Sequence, residues 1–231
     1  MENRNRQVLL KRRPTGAPTT SDFEIVEAPL PDAGEGEVLV RGIYLSLDPY
    51  MRGRISGARS YAKPVEVGAV MEGRVVGEVM RSRNPGFREG DFVLGGYGWQ
   101  LYSAVPGAGL LKLDLAEAPL STALGVLGMP GLTAYVGLSE IGRPQRGETV
   151  VVSAASGAVG AVAGQLAKRG RERRLGWIEL EGTGGGDGTV ELPSIAAEHI
   201  VTLLEARIAR THDLTDDAPF HDGADLDRLG V

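Results

Sequence analysis

The sequence predicts a mixed α+β and α/β protein in which an all-β unit precedes a strand–turn–helix segment. The first observation is the alternation of apolar and polar residues, broken by glycine and proline clusters, over residues 1–125. The second is the segment Val150–Lys168, where an apolar run, a glycine turn and a helical pattern follow one another. The third is a change of character at Arg169, after which that pattern does not continue.

Four segments carry the strand prediction for the all-β unit. Apolar and polar residues alternate in Phe23–Glu27 and in Glu37–Tyr44. We interpret Gly68–Met80 as one long strand interrupted by glycines, which is typical of a sheet that bends sharply. Phe87–Leu94 is predicted to be a turn that enters a strand. Together these segments predict a compact, barrel-like all-β unit.

The pattern turns helical after the all-β unit. From Pro119 to Ile141 apolar residues recur at helix-like spacing, and Gly128–Gly131 is predicted to separate two helical segments. A strand over Thr149–Val152 and a helix over Val159–Lys168 follow. This order of elements is how a nucleotide-binding domain begins.

The glycine turn within this segment has the residue types that a phosphate site needs. Small residues at Ala155, Gly157 and Gly160 let the backbone turn tightly, and Gly164 allows close packing one helical turn later. The start of the helix would then offer free N–H groups and its positive dipole end to a diphosphate. The alternative is a tight turn that serves packing only.

The last 63 residues, 169–231, differ from everything before them. They hold 13 acidic and 7 basic residues, and their one convincing helix is predicted near 194–209. A second strand with a ribose-reading group should follow the glycines by about 20 residues. Trp177–Leu180 could make a short strand, but it is neither apolar enough nor followed by a clear contact to a ribose or a 2′-phosphate. Arg173 and Arg174 could meet a phosphate, although a solvated charge run is the simpler interpretation.

Composition excludes several classes of protein. The formal net charge is −5 and no basic stripe is present, so nucleic acid is not an expected partner. The chain has no cysteine, which removes disulfides, iron–sulfur clusters and thiolate-bound zinc. It has neither the apolar core of a signal peptide nor a membrane-length apolar run. We therefore expect a cytoplasmic protein without a membrane or metal partner.

Five phrases resemble one family, the zinc-free medium-chain dehydrogenase/reductases of the prostaglandin reductase, leukotriene B4 12-hydroxydehydrogenase and alkenal double-bond reductase type. They are Asn5–Leu10, Tyr44–Arg54, Glu72–Gly77, Gly128–Tyr135 and Ala154–Gly160. The resemblance implies a GroES-like catalytic domain over 1–120 and the start of an NADP-binding Rossmann domain over 121–168. It also implies NADPH-dependent reduction of the carbon–carbon double bond of small enals or enones, without zinc.

The resemblance also assigns roles by matching position. It assigns nicotinamide contacts to Met129, Pro130, Gly131 and Thr133, pyrophosphate contacts to Ala155, Gly157, Ala158, Val159 and Gly160, and the border of the substrate pocket to Tyr50, Arg52 and Tyr61. Each role has a structural alternative: Tyr50 and Met129 could be core residues, and Arg52 could serve a local ion pair. A homodimer is left open.

The chain departs from the family after Lys168. Family members continue for roughly one further small domain, with a glycine-rich strand end and a lysine for the 2′-phosphate, and neither is recognisable here. Residues 197–207, with Thr211–Leu214 and Ala224–Gly230, are faintly similar to HD-superfamily phosphohydrolases, but the His-Asp metal core of that family is absent. We expect a truncated reductase with impaired activity; the alternative is a vestigial or non-catalytic binding protein that keeps the GroES-like module.

Overall fold

The computed structural model describes residues 4–57, 62–145, 148–169 and 174–177. Within these ranges the chain forms nine strands and three α-helices. It divides into two compact units, Met1–Pro130 and Gly131–Val231, so that the division falls inside a helix. No helix of the described part is long and apolar enough to cross a membrane.

The first unit contains seven strands and one short helix. Their bounds are β1 Arg4–Leu10, β2 Phe23–Pro29, β3 Glu37–Leu45, α1 Met51–Arg54, β4 Val75–Ser82, β5 Phe92–Gly95, β6 Tyr102–Pro106 and β7 Leu111–Leu113. Strands β1 and β2 form an antiparallel hairpin, and the other five form an antiparallel sheet in the order β6-β3-β4-β5-β7. The predicted strands at Phe23 and Glu37 and the turn before β5 are confirmed.

One strand is shorter than predicted. β4 begins only at Val75, whereas the sequence predicted a strand from Gly68. The preceding residues are held by the hairpin instead, because the Met71 amide donates to the Val8 carbonyl at 2.9 Å and the Gly68 amide to the Leu10 carbonyl at 2.7 Å. Gly68 has a φ of +86°, which turns the backbone out of an extended path.

The core of this unit is built from alternate residues of the five-stranded sheet. One cluster of fully buried side chains comprises Val38, Val40, Val75, Val79, Val93 and Tyr97. Gly77 lies beside this cluster, and a Cβ there would stand 2.4 Å from the Arg41 carbonyl oxygen and 2.5 Å from a Val40 methyl. The glycine therefore allows β3 and β4 to approach closely at the β-bulge between Gly42 and Tyr44.

A second cluster joins the hairpin to the loop that contains α1. It comprises Leu10, Ile55, Val65 and Met71, with Val8, Phe23 and Trp99 packed against it. The Phe23 and Trp99 rings stack with their centroids 5.8 Å apart. Burial of Met51 and Ile55 at the two ends of the α1 turn explains why so short a helix forms here.

The remaining elements are α2 Met129–Val136, β8 Thr149–Val152, α3 Ala158–Arg169 and β9 Arg174–Trp177. The helical stretch predicted over Pro119–Ile141 is broken: a 3₁₀ turn at Leu120–Ala123 precedes α2, and a π-helical turn at Gly137–Gly142 follows it. α2 begins at Met129, so Gly128–Gly131 does not separate two helices as predicted. Pro130 fits the first turn of a helix because its missing N–H would have no partner there.

Candidate cofactor turn and substrate-side residues

The strand–turn–helix predicted at Val150–Lys168 is confirmed as β8, a turn over 153–157, and α3. Ala154 takes a left-handed conformation with φ +50°, which reverses the chain. The Gly157 amide donates to the Ala154 carbonyl at 2.9 Å and closes the turn. The resemblance assigned a pyrophosphate contact to Gly157, but the Gly157 N–H is used by the turn.

The next three amides are presented differently. Helical bonding begins with the Ala161 amide, which donates to the Gly157 carbonyl at 2.8 Å. Among the described residues, the N–H groups of Ala158, Val159 and Gly160 have no backbone acceptor. Three donors at the positive end of a twelve-residue helix form a site suited to a phosphate group.

Gly160 brings the helix against the turn. A Cβ at this buried position would stand 2.3 Å from the Ala154 carbonyl oxygen and 2.9 Å from the Ala155 Cα. Both neighbours are backbone atoms of the turn itself, so no flexible side chain could give way. Only glycine fits here without moving the turn, and the spacing of small residues that the sequence showed is thereby explained.

A second strand does follow the helix, contrary to the sequence analysis. β9 pairs with β8 in parallel, with Thr149 opposite Arg174 and Val152 opposite Trp177. A parallel pair with a helix between its strands is the βαβ unit of nucleotide-binding domains. Arg174 lies in this strand and Arg173 just precedes the described segment. The strand was not predicted at Arg174–Trp177 because an arginine and a glycine stand there, where an apolar run was expected.

The other predictions for the tail concern residues outside the described ranges. They are the helix near 194–209, the three histidines, and the faint resemblance to phosphohydrolases. In the ranges that are described, no three histidine, aspartate or glutamate side chains converge as a metal site would require.

The residues assigned to the nicotinamide lie in the first two turns of α2. Met129 is 42% exposed and Thr133 is exposed one helical turn later, whereas Pro130 and Gly131 are buried. The core alternative for Met129 is therefore wrong. Nothing in the described contacts tests a nicotinamide role, which stays a prediction.

The substrate-side residues lie around α1. Tyr50 is half-buried at the start of this helix, and Arg52 is exposed and donates from Nη2 to the Gly16 carbonyl at 2.9 Å. Arg52 thus holds a backbone group of the N-terminal loop instead of a carboxylate partner. Tyr61 lies outside the described residues.

Sequence reasoning missed the side chain that anchors this helix. Arg54 forms a two-pronged pair with Glu72, from Nε to Oε2 and from Nη2 to Oε1, both at 2.7 Å. The Arg54 side chain is 13% exposed. The second arginine of the phrase Tyr50–Arg54 was visible in the sequence, but nothing there indicated its partner 18 residues on.

Cavities open on the described part of the first unit. One, of about 380 Å³, has a mixed lining whose polar members include Asn5, Glu72, Tyr97 and Ser103. Burial raises the pKa of the Tyr97 hydroxyl, which donates to the Val93 carbonyl at 3.3 Å. The other, of about 350 Å³, is mostly apolar and includes Ile25, Tyr44 and Trp99.

Comparison with known proteins places these features in a family. Residues 6–113 match the N-terminal domain of oxidoreductase. The chain is 51% identical to the NADPH-dependent curcumin reductase of Escherichia coli over 72% of this chain and 48% of that protein. It is 45% identical to the NADP⁺-dependent 2-alkenal reductase of Nicotiana tabacum, over 71% of this chain and 49% of that protein.

A solved structure gives the same result. CurA from Vibrio vulnificus in complex with NADPH superimposes with a TM-score of 0.70 at 47% identity, over 75% of this chain and 51% of that chain. The chain thus spans about half the length of the curated relatives it matches.

Proposed function

The chain belongs to the zinc-free medium-chain dehydrogenase/reductase family with a GroES-like N-terminal domain, and from this premise we propose that it serves NADPH-dependent reduction of a carbon–carbon double bond conjugated to a carbonyl. The proposed substrates are small enals and enones. The observation that carries the proposal is the set of free amides at Ala158, Val159 and Gly160, at the start of the α3 helix of a parallel βαβ unit.

The residues present fit the pyrophosphate of the cofactor. Three N–H donors lie in the first turn of α3, and the absence of a Cβ at Gly160 keeps the helix close to the turn. Ala155 would complete the pyrophosphate contacts, and Gly157 would shape the turn, because its N–H is bonded to the Ala154 carbonyl. Met129, Pro130, Gly131 and Thr133 would border the nicotinamide.

The reaction needs one hydride and one proton. NADPH would supply the hydride to the β-carbon of the substrate, and a proton from solvent would reach the α-carbon, so that NADP⁺ and a saturated carbonyl compound are released. The protein's task is to orient the substrate and to stabilise the negative charge that builds on the carbonyl oxygen. We assign this task to the Tyr50 hydroxyl, with Arg52 and Tyr61 at the border of the pocket.

A non-catalytic role is the second candidate. The chain spans about half the length of its relatives, and an open α/β sheet binds its ligand in a crevice formed by several strand ends. Within the described residues, one βαβ unit supplies a cradle for phosphate and part of such a crevice. We propose that the 231-residue chain by itself binds NADPH weakly and turns over slowly. The cytoplasmic location stays a prediction.

The test uses the 231-residue protein. NADPH binding is measured by fluorescence titration, and NADPH oxidation is followed with a panel of medium-chain enals and enones. Oxidation that depends on both enal and enzyme supports the proposal. A cooperatively folding protein that oxidises no NADPH at saturating enal overturns it in favour of the binding module, and micromolar NADPH affinity would overturn the expectation of weak binding.

A further inference from the structure

We infer that Arg54 and Glu72 form a positioning pair that fixes the α1 turn and, through it, the orientation of Tyr50. The inference rests on the proposed function for the role of Tyr50, but its structural part stands on contacts within the first unit. The pair links the last residue of α1 to the chain segment just before β4.

The geometry of the pair favours positioning over simple charge attraction. Two parallel hydrogen bonds of 2.7 Å hold the planar guanidinium against the carboxylate and fix its direction as well as its distance. The Arg54 side chain is 13% exposed and Glu72 is 44% exposed. Glu72 accepts hydrogen bonds from Nε and Nη2 of Arg54, whereas the buried Nη1 atom has no acceptor among the described residues.

The turn is held on its other side as well. Arg13 donates to the Ser56 carbonyl at 3.1 Å and to the Val65 carbonyl at 3.0 Å, and the Val65 amide donates to the Arg54 carbonyl at 2.7 Å. The Ile55 side chain, only 3% exposed, pins the backbone between these contacts. With the backbone held after residue 54, the side-chain pair determines how the turn is tilted.

Tyr50 is directly coupled to this tilt. Its carbonyl accepts hydrogen bonds from the Gly53 amide at 2.9 Å and from the Arg54 amide at 3.3 Å, so residues 50–54 move as one turn. Loss of the Glu72 contact would let that turn rotate about its anchored end. A displacement of about 1 Å at a substrate-orienting group commonly costs on the order of a hundredfold in rate.

A double-mutant cycle with Arg54→Ala, Glu72→Ala and the double variant tests the inference in the full chain. The matched control is Arg41→Ala, which breaks an Arg41–Glu78 pair of the same 2.7 Å length in which the arginine is 48% exposed. Three measurements are made on every variant: the exchange rates of the Arg54, Ile55 and Ser56 amides, the steady-state kinetics of enal reduction (kcat and KM), and the Kd for NADPH. A further variant, Arg54→Lys, keeps the positive charge but cannot form the two parallel hydrogen bonds to Glu72.

We expect each single variant to speed exchange of the three amides at least about tenfold and to lower kcat/KM about ten- to a hundredfold, with an unchanged Kd for NADPH. The kcat/KM of the double variant should be no lower than that of the less active single variant. Arg54→Lys should recover part of the lost kcat/KM. Arg41→Ala should match the wild type in both exchange and kinetics.

Two results overturn the inference: unchanged exchange in Arg54→Ala and Glu72→Ala, or faster exchange with unaltered kinetics in an active enzyme. If the wild type reduces no enal, the proposed function fails, and the exchange data still decide whether the pair fixes the turn.

Discussion

The carbonyl oxygen of Ala154 occupies the space that a side chain at Gly160 would need, 2.3 Å from where its Cβ would stand. The same carbonyl accepts the Gly157 amide that closes the turn. One oxygen therefore fixes both the closure of the turn and the distance of the helix from it. The free amides of the proposed cofactor site depend on this single contact.

Gly160→Ala should abolish NADPH binding. The new Cβ would displace the Ala154 carbonyl and open the turn, which moves the three free amides out of line with a diphosphate. Gly109→Ala is the control, because a Cβ there meets nothing within 4 Å. Isothermal titration with NADPH checks the result, and equal affinities in the two variants would contradict it.

Gly77→Ala should destabilise the first unit by about 3 kcal/mol. Its Cβ would overlap the Arg41 carbonyl oxygen, a Val40 methyl and the Tyr97 hydroxyl, all within 2.8 Å, and two of these neighbours belong to a well-packed core. Gly96→Ala has open space and serves as the control. Urea unfolding gives the free energies, and a loss below about 1 kcal/mol would show that the strands can separate at low cost.

Asn5→Ala should cost about 2 kcal/mol of folding stability, because it leaves buried polar groups without partners. The Asn5 side chain is almost wholly buried; it accepts the Tyr102 amide at 2.9 Å and donates to the Tyr102 carbonyl at 2.8 Å. Arg4→Ala, which breaks an exposed ion pair with Glu27, should cost less than about 1 kcal/mol. Similar losses in the two variants would argue against a structural role for the Asn5 amide.

Acid should weaken the protein partly through Asp91. Burial opposes its charge, but hydrogen bonds from the Lys112 ammonium and the Arg88 amide prevail and lower the pKa of the Asp91 carboxyl. A carboxyl whose pKa is lower in the folded state stabilises the fold above its unfolded pKa of about 3.9, and the contribution is lost as the pH falls through the folded value. Asp91→Asn should therefore show a shallower loss of stability between neutral pH and acid.

The control for this prediction is Glu89→Gln, an exposed carboxylate two residues away. Thermal melts across the pH range compare the variants with the wild type. An Asp91→Asn protein that loses stability on acidification as steeply as the wild type would contradict the role assigned to Lys112 and Arg88.

The elements that were predicted correctly are those whose residues show a local pattern of apolar and polar positions. Strands β2 and β3 show the two-residue alternation, and β8 with α3 shows an apolar run followed by a glycine turn. β9 was not predicted because it is held by its pairing with β8, and the local pattern of Arg174–Trp177 does not indicate that pairing. The predicted start of β4 was wrong for the same reason, since the amides of Gly68 and Met71 donate to the carbonyls of Leu10 and Val8 and hold the segment before β4.

Some features of the candidate site could likewise be predicted from the sequence and others could not. The small residues at Gly157 and Gly160 could be recognised, because a close backbone approach leaves a direct mark on residue type. The pairing of Arg54 with Glu72 could not, since charged residues in a loop have many possible partners and only the folded chain selects one. The Gly157 amide was assigned to a ligand, although the turn that shapes the site uses it.

The hydrogen bond from Asn5 to the Tyr102 carbonyl joins residues 97 positions apart in the chain. The β1–β2 hairpin can form as soon as its 26 residues leave the ribosome. Its hydrogen bonds with Gly68 and Met71 can follow once that segment has been synthesised, and its contact with β6 comes later still. Synthesis of Tyr102 therefore marks the earliest moment at which the amino terminus can complete this set of contacts.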